Sequence, residues 1–112
     1  MVTRVLELIA RPGETDALCR AIEGEVRILL KETKGFLEQV TLVSDGEPRL
    51  VILLTVWRSP VAAEQYDQDV SSQMNRMLAR YLDSRPHERA FQFAHDGQGA
   101  AALSGDDETT QS

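Results

Sequence analysis

The alternation of hydrophobic and polar positions predicts four β-strands in this chain. Apolar and polar residues alternate over residues 2–10, and a period of two is typical of a strand. Two further strand segments, residues 36–44 and the largely apolar residues 49–57, flank the turn-forming sequence Asp-Gly-Glu-Pro, which favours an antiparallel hairpin. A last alternating run, residues 88–95, predicts the fourth strand.

Two other segments have the period of an α-helix. In residues 14–34 the main apolar side chains recur at steps of four, four and three, and Gly35 follows as a C-terminal stop. The second helix starts at Ser59 and Pro60, which suit the N-cap and the first helical position. We expect this helix to bend or break at residues 67–70 and then to resume along a second apolar stripe.

The order βαββαβ predicts an α+β, ferredoxin-like fold, in which both helices lie on one face of a four-stranded antiparallel sheet. Within the third strand, Leu50–Trp57 carries no charge, and the side chains that it directs to either face are apolar. Phe91 and Phe93 share one face of the fourth strand. Because the helices can cover only one face, we expect a second, identical sheet to cover the other in a homodimer, forming a dimeric α/β barrel.

Composition and charge exclude several classes of protein. Eighteen acidic residues against 12 Lys and Arg give a net charge of −6, which disfavours a nucleic-acid partner. No apolar run approaches the ~20 residues that a membrane helix needs, so no membrane association is expected. The single Cys19 excludes an internal disulfide and a multi-cysteine metal site.

The sequence predicts one folded domain followed by a polar tail. Residues 1–95 hold all the predicted strands and helices, whereas residues 96–112 are rich in Gly, Ala, Ser, Asp, Glu and Thr and are expected to be disordered. Residues 1–10 already alternate like a strand and do not resemble a signal peptide, so we expect a cytoplasmic location.

A set of short motifs over residues 2–95 resembles the antibiotic biosynthesis monooxygenase superfamily of dimeric α/β barrels. The matching residues stand before the first helix, before the second strand, and at the end of the third strand and start of the second helix: Pro12-Gly13, Lys34-Gly35-Phe36, Thr55-Val56-Trp57-Arg58-Ser59, Ala62, Ala63 and Tyr66. This superfamily includes cofactor-independent oxygenases of polycyclic quinols and anthrones, and haem-degrading monooxygenases. The resemblance therefore implies a monooxygenase that acts on an aromatic small molecule without a metal or other cofactor.

The Thr-Val-Trp-Arg-Ser segment is most similar to the haem-degrading branch. The Asn of that branch falls on Leu6, its second Trp on Tyr66, and its His near Asn75 or Arg76. None of these three residue types is retained, so haem degradation is the alternative to quinol oxygenation. A non-catalytic ligand-binding dimer of the same fold is a further alternative.

Six residues are candidates for a site in a cavity between the sheet and the helices. Trp57, Phe91 and Phe93 are candidates to line it and bind substrate. The polar groups that an oxygenase needs are a proton acceptor and a donor that stabilises an anion, for which the candidates are Tyr66, Arg76 and His95.

Each candidate also has an interpretation that involves no function. Trp57 can simply fill the core, and Tyr66 can be an amphipathic residue at the edge between helix and sheet. Arg76 can belong to a solvated helix face, and His95 to an exposed loop. The sequence alone leaves these alternatives open.

Overall fold

The computed structural model describes residues 1–94, so His95 and the predicted tail, residues 96–112, lie outside the described residues. The elements, in chain order, are β1 (Val2–Ile9), α1 (Thr15–Ala21), α2 (Arg27–Lys31), β2 (Phe36–Val43), β3 (Leu50–Trp57), α3 (Pro60–Asp69), α4 (Ser71–Leu78) and β4 (His87–Gln92). A π-helical turn (Ile22–Val26) joins α1 to α2, and a 3₁₀ turn (Ala79–Tyr81) follows α4.

The sheet has the strand order β2-β3-β1-β4, and each neighbouring pair is antiparallel. This confirms the predicted ferredoxin-like topology. The fourth strand was predicted to reach His95, but it ends at Gln92. Only the amide of Phe93, which donates to the carbonyl of Met1 at 3.2 Å, extends the pairing by one more bond.

The helices follow the predicted signals closely. The first helical segment ends at Lys31, three residues before the predicted end at Lys34. Gly35 has a φ of +86°, a left-handed conformation that glycine adopts easily, and it closes the turn that leads into β2. The hydroxyl of Ser59 accepts a hydrogen bond from the amide of Ala62 at 3.2 Å, as expected of an N-cap. The predicted break is confirmed at Val70, whose φ of −120° and ψ of −34° separate α3 from α4.

Side chains of β3 alternate between two environments. Val51, Leu53, Thr55 and Trp57 are buried on the face covered by the helices, whereas the four residues between them are only half-buried on the opposite face. One layer of core thus lies between the sheet and the helices.

None of the helices in residues 1–94 has the length and apolar character needed to cross a membrane.

Candidate active site

Three aromatic rings meet where β3 ends and α3 begins. The rings of Trp57 and Tyr66 lie 4.7 Å apart between centroids, and Phe36 meets Trp57 edge-on at 5.6 Å. Trp57 and Tyr66 have no solvent-exposed surface. The indole nitrogen of Trp57 donates a hydrogen bond to the hydroxyl of Thr55 at 2.9 Å, so its one polar atom is satisfied inside the core.

The Tyr66 hydroxyl is directed toward α4. Its oxygen lies 3.6 Å from the sulfur of Met74, which is a weak acceptor. Burial raises the pKa of Tyr66 well above its ordinary value, and the negative charges of Glu88 and Asp67 add to this effect. Tyr66 is therefore a neutral phenol at physiological pH, with a hydroxyl that makes only one weak hydrogen bond.

A polar cluster lies on the same side of the sheet. The Arg4 guanidinium donates from Nη2 to Asp67 Oδ2 at 2.9 Å and from Nε to both carboxylate oxygens at 3.2 Å, so β1 is tied to α3 at the residue after Tyr66. Glu88, opposite Leu6 in the β1–β4 pairing, faces the same layer. Partial desolvation raises the pKa of the Glu88 carboxyl, and the charge of Asp67 raises it further.

A cleft of about 520 Å³ opens beside α4. Its walls come from the end of α4 and the segment that leads to β4: Asn75, Arg76, Ala79, Leu82, Asp83, Ser84, Arg85 and Pro86. The side-chain oxygen of Asn75 is buried without a hydrogen-bond partner, which is unfavourable by about 1–3 kcal/mol for a polar atom removed from water. Met74, which contacts Tyr66, precedes Asn75, so this helix connects the cleft to the aromatic rings.

The open face of the sheet forms a second, larger groove of about 640 Å³. Its lining is mainly apolar and includes Val5, Leu54, Val56, Phe91 and Phe93. Phe91 is 52% exposed there. This is the face that the sequence predicted to be left uncovered by the helices.

The prediction that Trp57, Phe91 and Phe93 line one cavity is wrong within a single chain. Trp57 lies opposite Val2 in the pairing with β1, whereas Phe91 lies opposite Thr3. Successive residues of a strand point to opposite faces, so Trp57 faces the helices and the two phenylalanines face the open groove. The sheet itself separates them.

The other predicted site residues are placed differently from one another. Tyr66 lies against Trp57 as part of the core, and Arg76 is exposed in the wall of the cleft. His95 lies outside the described residues. Sequence reasoning missed Glu88, although the alternation of β4 places it on the same face as Ala90, toward the helices.

It also missed the Arg4–Asp67 ion pair and Arg85. The two partners of the ion pair are 63 positions apart, and no local pattern joins them. Arg85 stood beside Pro86 as the end of a helix, with nothing in the sequence to direct it to a cleft.

The residues at the haem-related positions do not fit an iron site. Leu6 is 3% exposed and belongs to the core, and Tyr66 has a raised pKa that opposes a phenolate ligand. Among residues 1–94, no three His, Cys, Asp or Glu side chains are grouped so that they could hold a metal ion.

Comparison with known families identifies the class of protein. Residues 1–74 match the antibiotic biosynthesis monooxygenase family, and the chain belongs to that family. None of the curated protein sequences matches it significantly. The assignment therefore rests on the family match and on the fold.

Solved structures share the fold at low sequence identity. A candidate antibiotic biosynthesis monooxygenase from Bordetella bronchiseptica superposes with a TM-score of 0.72 at 14% identity, covering 81% of this chain and 94% of the other. The ActVA-Orf6 monooxygenase of Streptomyces coelicolor, in complex with nanaomycin D, gives a TM-score of 0.69 at 20% identity, with 81% and 85% covered. The NE2512 protein of unknown function from Nitrosomonas europaea gives 0.70 at 15%, with 84% and 89% covered. Family and fold together support a function of the monooxygenase type.

Proposed function

We propose that this protein is a cofactor-independent monooxygenase that acts on a quinol- or anthrone-like aromatic molecule. The observation that carries the proposal is that α4 contacts the buried Trp57–Tyr66 ring pair through Met74 and also forms, with Asn75 and Arg76, a wall of the cleft. Methionine is unbranched and flexible, so movement of the Met74 side chain is the route by which a substrate would reach the buried Tyr66 hydroxyl. A substrate anion in the cleft has the Arg76 guanidinium beside it.

The chemistry requires little from the protein. Triplet oxygen reacts slowly with a neutral singlet molecule, but a deprotonated anthrone can transfer one electron to oxygen. The resulting substrate radical and superoxide combine to form a carbon–oxygen bond, and a proton completes the hydroperoxide. Loss of the remaining hydrogen from that carbon, with cleavage of the O–O bond, releases water and leaves a carbonyl. One oxygen atom thus enters the product and the other leaves as water.

Three groups of the protein would take part in these steps: a cation, a hydrogen-bond donor and a proton acceptor. Arg76 stabilises the substrate anion through its guanidinium. The Tyr66 hydroxyl, engaged only with a sulfur atom, donates a hydrogen bond to the substrate oxygen or the hydroperoxide. The proton acceptor is Glu88 or His95; Glu88 is the better supported by the described residues, because its carboxyl faces the same layer as Tyr66 and has a raised pKa.

The same proposal includes a homodimer. The groove on the open face is mainly apolar, and Leu37 and Phe91, which line it, are 40% and 52% exposed. An identical sheet is the partner that such a face fits, burying on the order of 1,600 Å² or more in total. This would complete the dimeric α/β barrel.

The test is oxygen consumption with a panel of anthrones and quinols, using purified, metal-depleted protein. We expect uptake of one O₂ per molecule oxidised, with the quinone as product and no dependence on added flavin, iron or haem. Saturable binding without turnover would favour the alternative of a non-catalytic ligand-binding dimer. Turnover only after addition of a metal or flavin would contradict the proposal.

A further inference from the structure

The cleft beside α4 contains two cations without partners. Arg76 and Arg85 both line it, and both are exposed. Within residues 1–94, neither side chain makes a hydrogen bond or an ion pair. Guanidinium groups bind carboxylates well because their planar array of donors matches two oxygen atoms.

The acidic residue of the cleft does not neutralise them. Asp83 forms an ion pair with Arg49, whose Nη2 lies 2.6 Å from Asp83 Oδ2. Arg49 is itself fixed, because its Nε donates to the carbonyl of Ala10 at 2.8 Å. The cleft therefore keeps an excess of positive charge, on a chain whose net charge is −6.

The cleft also contains an unsatisfied acceptor. Asn75 precedes Arg76 on α4 and lines the same space, and its side-chain oxygen is buried without a donor. Buried polar atoms in folded proteins are normally paired, so this oxygen lacks a partner that a rotation of the Asn75 side chain toward the cleft would let a ligand donor supply. A hydroxyl group on the ligand would supply that donor.

We infer that the cleft binds a hydroxylated aromatic carboxylate, with Arg76 and Arg85 on its negative charges and Asn75 on a hydroxyl. As the description of a substrate, this inference rests on the proposed function. An anthrone or quinol anion carries one charge, for which Arg76 suffices. The second arginine, Arg85, is explained if the substrate also has a carboxylate group, whose negative charge is present before and after the reaction.

The inference is tested with two matched planar probes, 4,5-dihydroxyanthraquinone-2-carboxylate and the neutral 1,8-dihydroxyanthraquinone. Titration at low, fixed ionic strength is expected to give a dissociation constant at least about tenfold lower for the carboxylate. Equal affinity for the two probes would overturn the inference. Competition by phosphate at a similar concentration would do the same, since it would indicate a general anion site.

Three single variants locate the binding. Arg76→Gln and Arg85→Gln are each expected to weaken binding of the carboxylate by about tenfold and to leave the neutral probe nearly unaffected. Arg20→Gln is the control, because Arg20 is an exposed arginine of α1 that does not line the cleft. An equal loss in the Arg20 variant would show non-specific attraction and overturn the assignment to this cleft. All three side chains are exposed, so the variants should fold normally.

Turnover separates this inference from the proposed function. Oxygen uptake is compared for an anthrone and the same anthrone bearing a carboxylate. Oxygen uptake with both compounds at equal KM would support the proposed monooxygenase function and overturn the inferred preference for a carboxylate. Selective binding of the carboxylate compound without oxygen uptake would support the inferred binding site and contradict the proposed reaction. A lower KM for the carboxylate, lost in Arg85→Gln with kcat unchanged, supports both.

Discussion

The rings of Tyr66 and Trp57 lie 4.7 Å apart with their planes tilted by 32°, in a core position closed to solvent. Aromatic pairs in this geometry are stabilising beyond the area that they bury. The pair fixes α3 against the end of β3. The Tyr66 hydroxyl contacts Met74 on α4, the helix that also forms a wall of the cleft, so under the proposed function this residue has both a packing and a chemical role.

Replacing Tyr66→Phe should separate these two roles. The ring contact with Trp57 is preserved and only the hydroxyl–sulfur contact is lost, so unfolding should become easier by no more than about 1 kcal/mol. Turnover of the anthrone substrate should fall by roughly tenfold or more, because a donor near the reacting oxygen is lost. Thermal denaturation and oxygen uptake measure the two effects; unchanged turnover would assign Tyr66 to the core alone.

Glu88→Gln should remove the ionisation that controls activity at low pH. The carboxylate is the active form, and its raised pKa means that activity is lost as the pH falls through a value above the ordinary pKa of glutamate. The pH–rate profile of Glu88→Gln should lack this low-pH limb, the loss of activity on acidification, whereas that of His95→Gln should retain it. Glu47→Gln, in the exposed β2–β3 turn, is the control. Loss of the limb in His95→Gln would instead make the histidine the base.

The same carboxyl gives a stability prediction of defined sign. A raised pKa means that folding disfavours the ionised form, so the penalty is complete above the folded-state pKa and absent below the unfolded-state value. Glu88→Gln should therefore raise the melting temperature at pH 7 and have little effect near pH 4. A melting temperature lowered at pH 7 would contradict the desolvation of this carboxyl.

Hemin should not form a specific complex. Burial raises the pKa of Tyr66, so a phenolate ligand is disfavoured, and Leu6 supplies no polar group. We expect no saturable one-to-one Soret band on titration and no decay of hemin with ascorbate and oxygen. A saturable complex that is degraded would restore the haem alternative.

Self-association should depend on the open face of the sheet. Leu54 faces Val5 and Val40 across the two neighbouring strands in the middle of the groove. A charge there should convert a dimer to a monomer in sedimentation equilibrium, with the circular dichroism spectrum retained. Leu54→Glu is the variant and Val61→Glu the control, since Val61 is 66% exposed on α3. A monomeric wild-type protein at micromolar concentration would disprove the dimer.

Gly35 should be intolerant of a side chain. Its φ of +86° is unfavourable for other residues, and an added Cβ would overlap the Cβ of Ala62 on α3. Gly35→Ala should lower the free energy of unfolding by about 2–4 kcal/mol through strain and overpacking. Gly24→Ala is the matched control: nothing lies within 4 Å of an added Cβ there, and alanine in a helix should raise stability by about 0.5–1 kcal/mol. Denaturant titration measures both.

Most of the fold was predictable because its signals are local. The turn before β3, the turn at Gly35 and the helix break at Val70 each depend on a few neighbouring residues. The π-helical turn at Ile22–Val26 was not predicted, because apolar spacing in a helix tolerates one residue of shift without losing the buried stripe.

The candidate site was less predictable because its residues meet through tertiary structure. Trp57 and Tyr66 were both candidates for one site, and the structure shows that their rings are in contact where β3 leads into α3. The separation of Trp57 from Phe91, in contrast, depends on the register of two strands that both pair with β1. The orphan oxygen of Asn75 depends on the packing of α4, which sequence spacing does not specify.

Val56 and Trp57 are consecutive in one strand, yet Val56 lines the open groove and Trp57 belongs to the ring pair on the other side of the sheet. Any small rotation or shift of this strand therefore alters both surfaces together. Under the proposals made above, ligand binding and self-association become reciprocal equilibria. By thermodynamic linkage, a ligand that strengthens the dimer must bind the dimer more tightly than the monomer. The product of the dimer-to-monomer affinity ratios at the two sites equals the factor by which saturating ligand raises the dimerisation constant. Apparent ligand affinity would then rise with protein concentration, even though no residue of the cleft lies on the face between the two copies.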